Sequence, residues 1–147
     1  MAIASRKAST TWQGSLAAGG GAISGASGAI EDLAVSWAAR TGEPGGKTSP
    51  EELAAAAHSS CFAMALALRL GERGSRPEQL AVTATVTLGE VDDVPTVISS
   101  ALEVRAHVDG LESEEFDLAV GEAIDLCPIG RLFASAEISV DAELQAA

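Results

Sequence analysis

Thr48-Ser49-Pro50-Glu51-Glu52-Leu53, continuing through Cys61 to Gly71, decides how the rest of the chain is read. Ser49 can accept the free amide of Glu52, the Glu52 carboxylate can reach back to the amide of Ser49, and Pro50 suits the first helical position, so a capping box opens a helix here. Apolar residues then recur as Leu53, Ala57, Cys61, Met64 and Leu68, a helical stripe about five turns long that stops at Gly71 and Gly74. Cys61 lies on this stripe and is expected on the inward face. A thiol there is either an inert small hydrophobe or a placed nucleophile.

Upstream of the helix, Ala8 to Trp12 alternates weakly, Gly14 and Gly19-Gly20-Gly21 supply a turn, and Ala22-Ile23-Ser24 continues as a second strand. Leu33 to Trp37 reads as a third short strand, and Thr41-Gly-Glu-Pro-Gly-Gly-Lys47 as a loop with Arg40 at its entrance. Downstream, Leu80 to Val91 places Leu80, Val82, Ala84, Val86 and Leu88 on one face and threonines on the other, the period of a half-buried strand. Val97 to Val108 is its partner in an antiparallel hairpin, with Asp92-Asp93-Val94-Pro95 as the turn. Ser113 with Glu114 and Glu115 is expected to cap a second long helix carrying Phe116, Val120, Ala123, Ile124 and Cys127 on one side, ended by Pro128. Ile129 to Phe133 forms a short helix with Cys127 at its N-terminal end, where a thiolate gains from unpaired amides, and Ala136 to Leu144 is the last strand.

This order predicts an α+β protein with mostly antiparallel sheet. The central helix is too apolar to face water on any side, and one sheet covers only one side of it, so a second copy is expected to supply the rest in a homodimer with paired central helices.

A length of 147 residues is that of one domain, 1–147, with a core large enough to stand without disulfides. The apolar fraction of 47%, mostly Ala, Val, Leu and Ile, marks a folded chain rather than a disordered one. Two distant cysteines do not make a secreted framework, and the first residues lack the apolar run of a signal peptide, so a reducing cytoplasm is expected. The run from Leu53 to Leu70 is interrupted by His58, Ser59, Ser60 and Arg69, which argues against a membrane span. With 21 acidic against 9 basic side chains and a net charge of −12, the chain repels phosphate backbones, and nucleic acid is not an expected partner.

Arg40, Glu51, Cys61 and Cys127 are the candidates for chemistry. Each has a plain alternative: Cys61 as core, Cys127 as packing at a helix end, Glu51 as an acid complementing the helix dipole, Arg40 as a solvated charge. Taken together they form a coherent set. Two approaching thiols make a redox pair, and an arginine beside one of them supplies a permanent positive field, its fork holding a carboxylate on one edge. His58, near Cys61 on almost the same helix face, reads as a hydrogen-bonded core or interface histidine. The competing reading is a metal-binding or purely structural dimer using His58, Cys61, His107 and Cys127, whose spacing fits no compact zinc motif.

Gly46-Lys-Thr-Ser-Pro-Glu-Glu-Leu-Ala-Ala-Ala-Ala-His-Ser-Ser-Cys-Phe-Ala-Met-Ala-Leu66, with Cys127-Pro-Ile-Gly-Arg-Leu-Phe133, Ile138-Ser-Val-Asp-Ala-Glu-Leu144 and the early Trp12-Gln-Gly, closely resembles the OsmC/Ohr family of hydroperoxide reductases. The resemblance implies a sheet wrapped around long central helices in an intertwined homodimer. It implies that Cys61 is the peroxidatic cysteine, Cys127 the resolving one, and Arg40 with Glu51 the activating pair. No cofactor or metal is implied. It further implies an organic hydroperoxide substrate, reduced through a Cys61 sulfenic acid and a Cys61–Cys127 disulfide that an external dithiol, such as a lipoyl group, recycles. An arginine about ten residues before the glutamate is similar to the OsmC branch; in the Ohr branch it lies in the N-terminal hairpin. Ser49 stands where the family commonly has asparagine, and Gly130 where it has another small residue.

Ten residues of unbroken helix between Glu51 and Cys61 span about 15 Å along the axis, too far for one arginine to serve both. Glu51 and Arg40 are therefore expected to act on Cys61 of a second copy, with two shared sites per dimer.

Overall fold

The structure, a computed structural model, describes residues Met1–Ala146. The chain forms two compact units that divide between Leu53 and Ala54.

In the first unit, β1 (Ala8–Gln13), β2 (Gly20–Gly25) and β3 (Leu33–Val35) make an antiparallel sheet in that order. The expected hairpin is there, with Trp12 opposite Gly21. Every residue of β1 is exposed, and the buried side chains of this unit come down to Ile23, Ser36, Ala39 and Thr48. The third strand is shorter than its sequence suggests. Ser36 interrupts it because its hydroxyl accepts the Ala39 amide at 3.1 Å, capping the short helix α1 (Trp37–Thr41). Arg40 consequently lies in the last helical turn, where a cation complements the dipole, at the entrance to the loop that follows.

The helix α2 (Pro50–Glu72) starts where the capping signal puts it, with the Glu52 amide donating to Ser49 Oγ at 3.1 Å. Only half of the capping box forms. The Glu52 carboxylate accepts from the Thr48 hydroxyl at 2.6 Å instead of reaching the Ser49 amide. At the other end Ser75 N–H returns to the Leu70 carbonyl at 2.9 Å while Gly74 takes φ 75°, a glycine-ended C-cap.

In the second unit a three-stranded sheet runs in the order β4 (Pro77–Val91), β5 (Val94–Val108), β6 (Glu137–Leu144). β4 and β5 are antiparallel, and β6 lies parallel to β5, as a return through helices allows. The hairpin turn is tighter than expected: Val91 pairs with Val94, so only Asp92 and Asp93 turn, at φ 51° and 63°. Two consecutive left-handed residues match the twist of the flanking strands, and aspartate tolerates that conformation better than most side chains. Between β5 and β6 come α3 (Ser113–Leu126) and α4 (Pro128–Leu132). Glu112, not Ser113, occupies the N-cap of α3, and its side chain makes no capping bond. Phe62, Leu66 and Leu70 of α2 pack with Leu102, Val104 and Ala106 of β5 and with Phe116, Ala119 and Ala123 of α3 in one core.

The face of α2 that enters this core is His58, Phe62, Ala65, Leu66 and Leu70. Met64 and Leu68, expected inward, are 73% and 51% exposed, and Cys61 sits half-buried at the border. A helix apolar on all sides gives periodicity no contrast with which to choose a face.

Candidate active site

The structure brings the four candidate residues together two by two: Arg40 with Glu51 in the first unit, Cys61 with Cys127 in the second.

Arg40 Nε lies 2.9 Å from Glu51 Oε2 and Arg40 Nη2 lies 2.7 Å from Oε1, a parallel fork that fixes the plane of the guanidinium. The two side chains are 29% and 11% exposed. The bonds from Arg40 hold the Glu51 carboxyl below the usual carboxylate range against the opposing effect of burial. The same bonds raise the already high pKa of Arg40. Both groups are therefore charged near neutral pH. Arg40 Cζ also stands 5.8 Å from the centre of the Trp37 ring, a cation–π distance that one helical step of α1 sets up. Glu51 takes Nε and Nη2, and Nη1 has no hydrogen-bond partner among the described residues. A pocket of about 210 Å³ opens beside this arginine, walled by Trp12, Leu16, Ile23, Val35 and Trp37. Its surface is mainly apolar, with Thr10, Ser36 and Arg40 as the polar lining residues. An organic group fits such a wall, with a charged donor at hand for an oxygen.

Both cysteines are free thiols. Cys127 is 1% exposed and belongs to the core cluster against which Cys61 packs. It caps α4, as its place before Pro128 suggests: Sγ accepts the Gly130 amide at 3.4 Å. Burial pushes the Cys127 thiol up, the neighbouring Cys61 side chain pushes it further, and the amides of Gly130 and Ile129 oppose this without reversing it. The helix-end amides were expected to favour a thiolate here; desolvation outweighs them. The two sulfurs thus differ in kind. Cys61 is half open to a reagent, whereas Cys127 is a protonated thiol held behind it.

His58 is buried, with Nδ1 2.6 Å from Ser100 Oγ of β5 and its ring 5.1 Å from that of Phe133. Burial alone depresses its pKa, so the ring is neutral. Its hydrogen-bonded core placement is the one the sequence suggests, and Ser100 is the partner the sequence did not identify. The signal was present: a serine on the inward face of β5 between apolar neighbours needs a polar mate. No three His, Cys, Asp or Glu side chains among the described residues come together as a metal-ligand group.

The model of the OsmC-like protein family matches residues 42–143. This chain belongs to the OsmC-like family. It is 36% identical to the peroxiredoxin OsmC of Escherichia coli (strain K12) over 141 residues, 95% of this chain and 96% of that protein. It is 28% identical over 88 residues to the organic hydroperoxide resistance protein of Xanthomonas axonopodis pv. citri, covering 59% of this chain and 60% of the relative. Among solved structures, an organic hydroperoxide resistance protein OsmC from Legionella pneumophila shares the fold at a TM-score of 0.70 with 24% identity, over 99% of this chain and 100% of that one. The α+β architecture is thus that of the OsmC-like fold.

Proposed function

We infer that this OsmC-like chain is a thiol peroxidase that reduces organic hydroperoxides to alcohols. The adjacency of an accessible Cys61 and a buried Cys127 carries this reading. The Cys61 thiolate attacks the outer peroxide oxygen in line, the O–O bond breaks, and Cys61 becomes a sulfenic acid. The growing negative charge on the leaving oxygen needs a donor that is charged at every working pH. The Arg40 guanidinium, oriented by Glu51 with one nitrogen to spare, has that property. Cys127 then condenses with the sulfenic acid, and an external dithiol reduces the disulfide, a lipoyl group being one candidate.

The spacing of Glu51 and Cys61 along α2 supports a site shared between two copies, in which Arg40 and Glu51 of one serve Cys61 of the other. The exposed Met64 and Leu68 on α2 are the surface such a dimer would cover. Two reduced thiols suit a reducing compartment, the cytoplasm. The apolar wall beside Arg40 favours a bulky organic peroxide over hydrogen peroxide. Turnover with cumene hydroperoxide and with hydrogen peroxide in the presence of a dithiol tests the assignment. The organic substrate is expected to be preferred and Cys61→Ser to consume neither; a Cys61→Ser variant of unchanged activity would refute it.

A further inference from the structure

His58 takes no part in the reaction as set out, yet it is a buried, neutral imidazole beside one of the reacting thiols. A methyl group built on Gly130 would sit 3.3 Å from His58 Nε2 and 3.6 Å from Cys127 Sγ. The ring nitrogen and the sulfur therefore border the same small space, and glycine keeps it open. Nδ1 lies 2.6 Å from Ser100 Oγ. In the tautomer whose Nδ1–H donates to Ser100 Oγ, Nε2 carries a lone pair and can accept a proton. The groups against the ring, the Ser100 hydroxyl of β5, the Gly130 backbone and the Phe133 ring, carry no charge. The titratable groups that face it are Cys127 and, one turn on in α2, Cys61.

We propose that His58 accepts the Cys127 thiol proton while Cys127 closes the disulfide. This rests on the thiol-peroxidase reading. Cys127 Sγ attacks the sulfenic sulfur of Cys61, the S–S bond forms and the S–O bond breaks. The thiol proton passes to His58 Nε2 and then to the departing hydroxide, which leaves as water. The organic hydroperoxide has already supplied the oxidation, and His58 ends unchanged. A thiol whose pKa is raised by burial is a poor nucleophile by itself, and so needs a base at this step.

The test separates two rates after mixing with cumene hydroperoxide: formation of the Cys61 sulfenic acid, trapped with a 1,3-diketone, and disappearance of both thiols into the disulfide. In His58→Gln the first rate is expected to hold, and the second to fall by roughly a hundred-fold near neutrality and recover in alkali, where hydroxide replaces the base. Gly130→Ala, which leaves His58 in place but fills the shared space, is expected to slow the same second step, and carries the test if His58→Gln does not fold. Closure at the parent rate in either folded variant, or slowing that ignores pH in His58→Gln, overturns the proposal. If the parent protein itself forms no disulfide, the peroxidase reading fails instead.

Discussion

In the proposed reaction Arg40 acts through geometry as much as charge. Arg40→Ala is expected to lower kcat/KM for an organic hydroperoxide by about 10²–10³, the usual cost of one donor to a developing oxyanion. Arg40→Lys keeps the charge but cannot hold Glu51 through a fork, and should recover only part of that loss in the same steady-state assay. His58 and Glu51 predict stability in separate pH windows. Burial lowers the folded-state pKa of His58, so below the ordinary imidazole value of about 6.5 the unfolded chain binds a proton that the fold refuses. Stability should fall as pH drops through that value, and urea midpoints in His58→Gln should be flatter there. Glu51, whose pKa the Arg40 bonds lower, contributes stability above the ordinary carboxylate value that is lost only as pH falls through its depressed one. The candidate residues themselves, two cysteines, an arginine and a helix-start glutamate, stood out in the sequence by type, and the structure pairs Arg40 with Glu51 and Cys61 with Cys127. Ser100 was legible only as an inward serine in need of a polar mate; that the mate is His58, 42 positions away, is a pairing the fold creates.

At the scale of elements, local signals located helix starts and strands but not every cap. The Ser49-Pro50 start and the alternation of β4 and β6 are written in two to eight consecutive residues, and the structure follows them. Ser36 was overlooked because Leu33 to Trp37 also reads as a strand, and the cap it makes is what turns Arg40 toward Glu51. Ser113 promised a cap that Glu112 occupies without bonding. Replacing Glu112 with Ser should therefore stabilise the protein by roughly 0.5–1 kcal/mol, seen as a higher urea midpoint with unchanged slope. An unchanged or lower midpoint would show that the acid already serves the dipole as well as a hydroxyl serves the amides.

Across the whole molecule, the proposed dimer follows from apolar surface rather than from any single contact. Ala56, Ser60, Met64 and Leu68 recur at four-residue spacing on the exposed side of α2, small and apolar enough for another helix to approach closely. Leu68→Glu should leave the core residues Phe62, Leu66 and Leu70 packed, and yield a folded monomer by light scattering and circular dichroism. If the site is shared, that monomer should lose most of its peroxidase activity; a fully active monomer would place Arg40 and Cys61 of one chain in one site. Sequence could predict that α2 needs cover on two sides, but not which side meets its own core, since both sides are apolar.

The central claim is that oxidation of Cys61 is captured by Cys127. Intact mass after one equivalent of an organic hydroperoxide tests it most directly. The reduced protein should lose about two mass units as the disulfide closes, and Cys127→Ser should instead gain about sixteen, the oxygen of a stalled sulfenic acid. A parent protein that gains oxygen without ever losing two hydrogens would contradict the account.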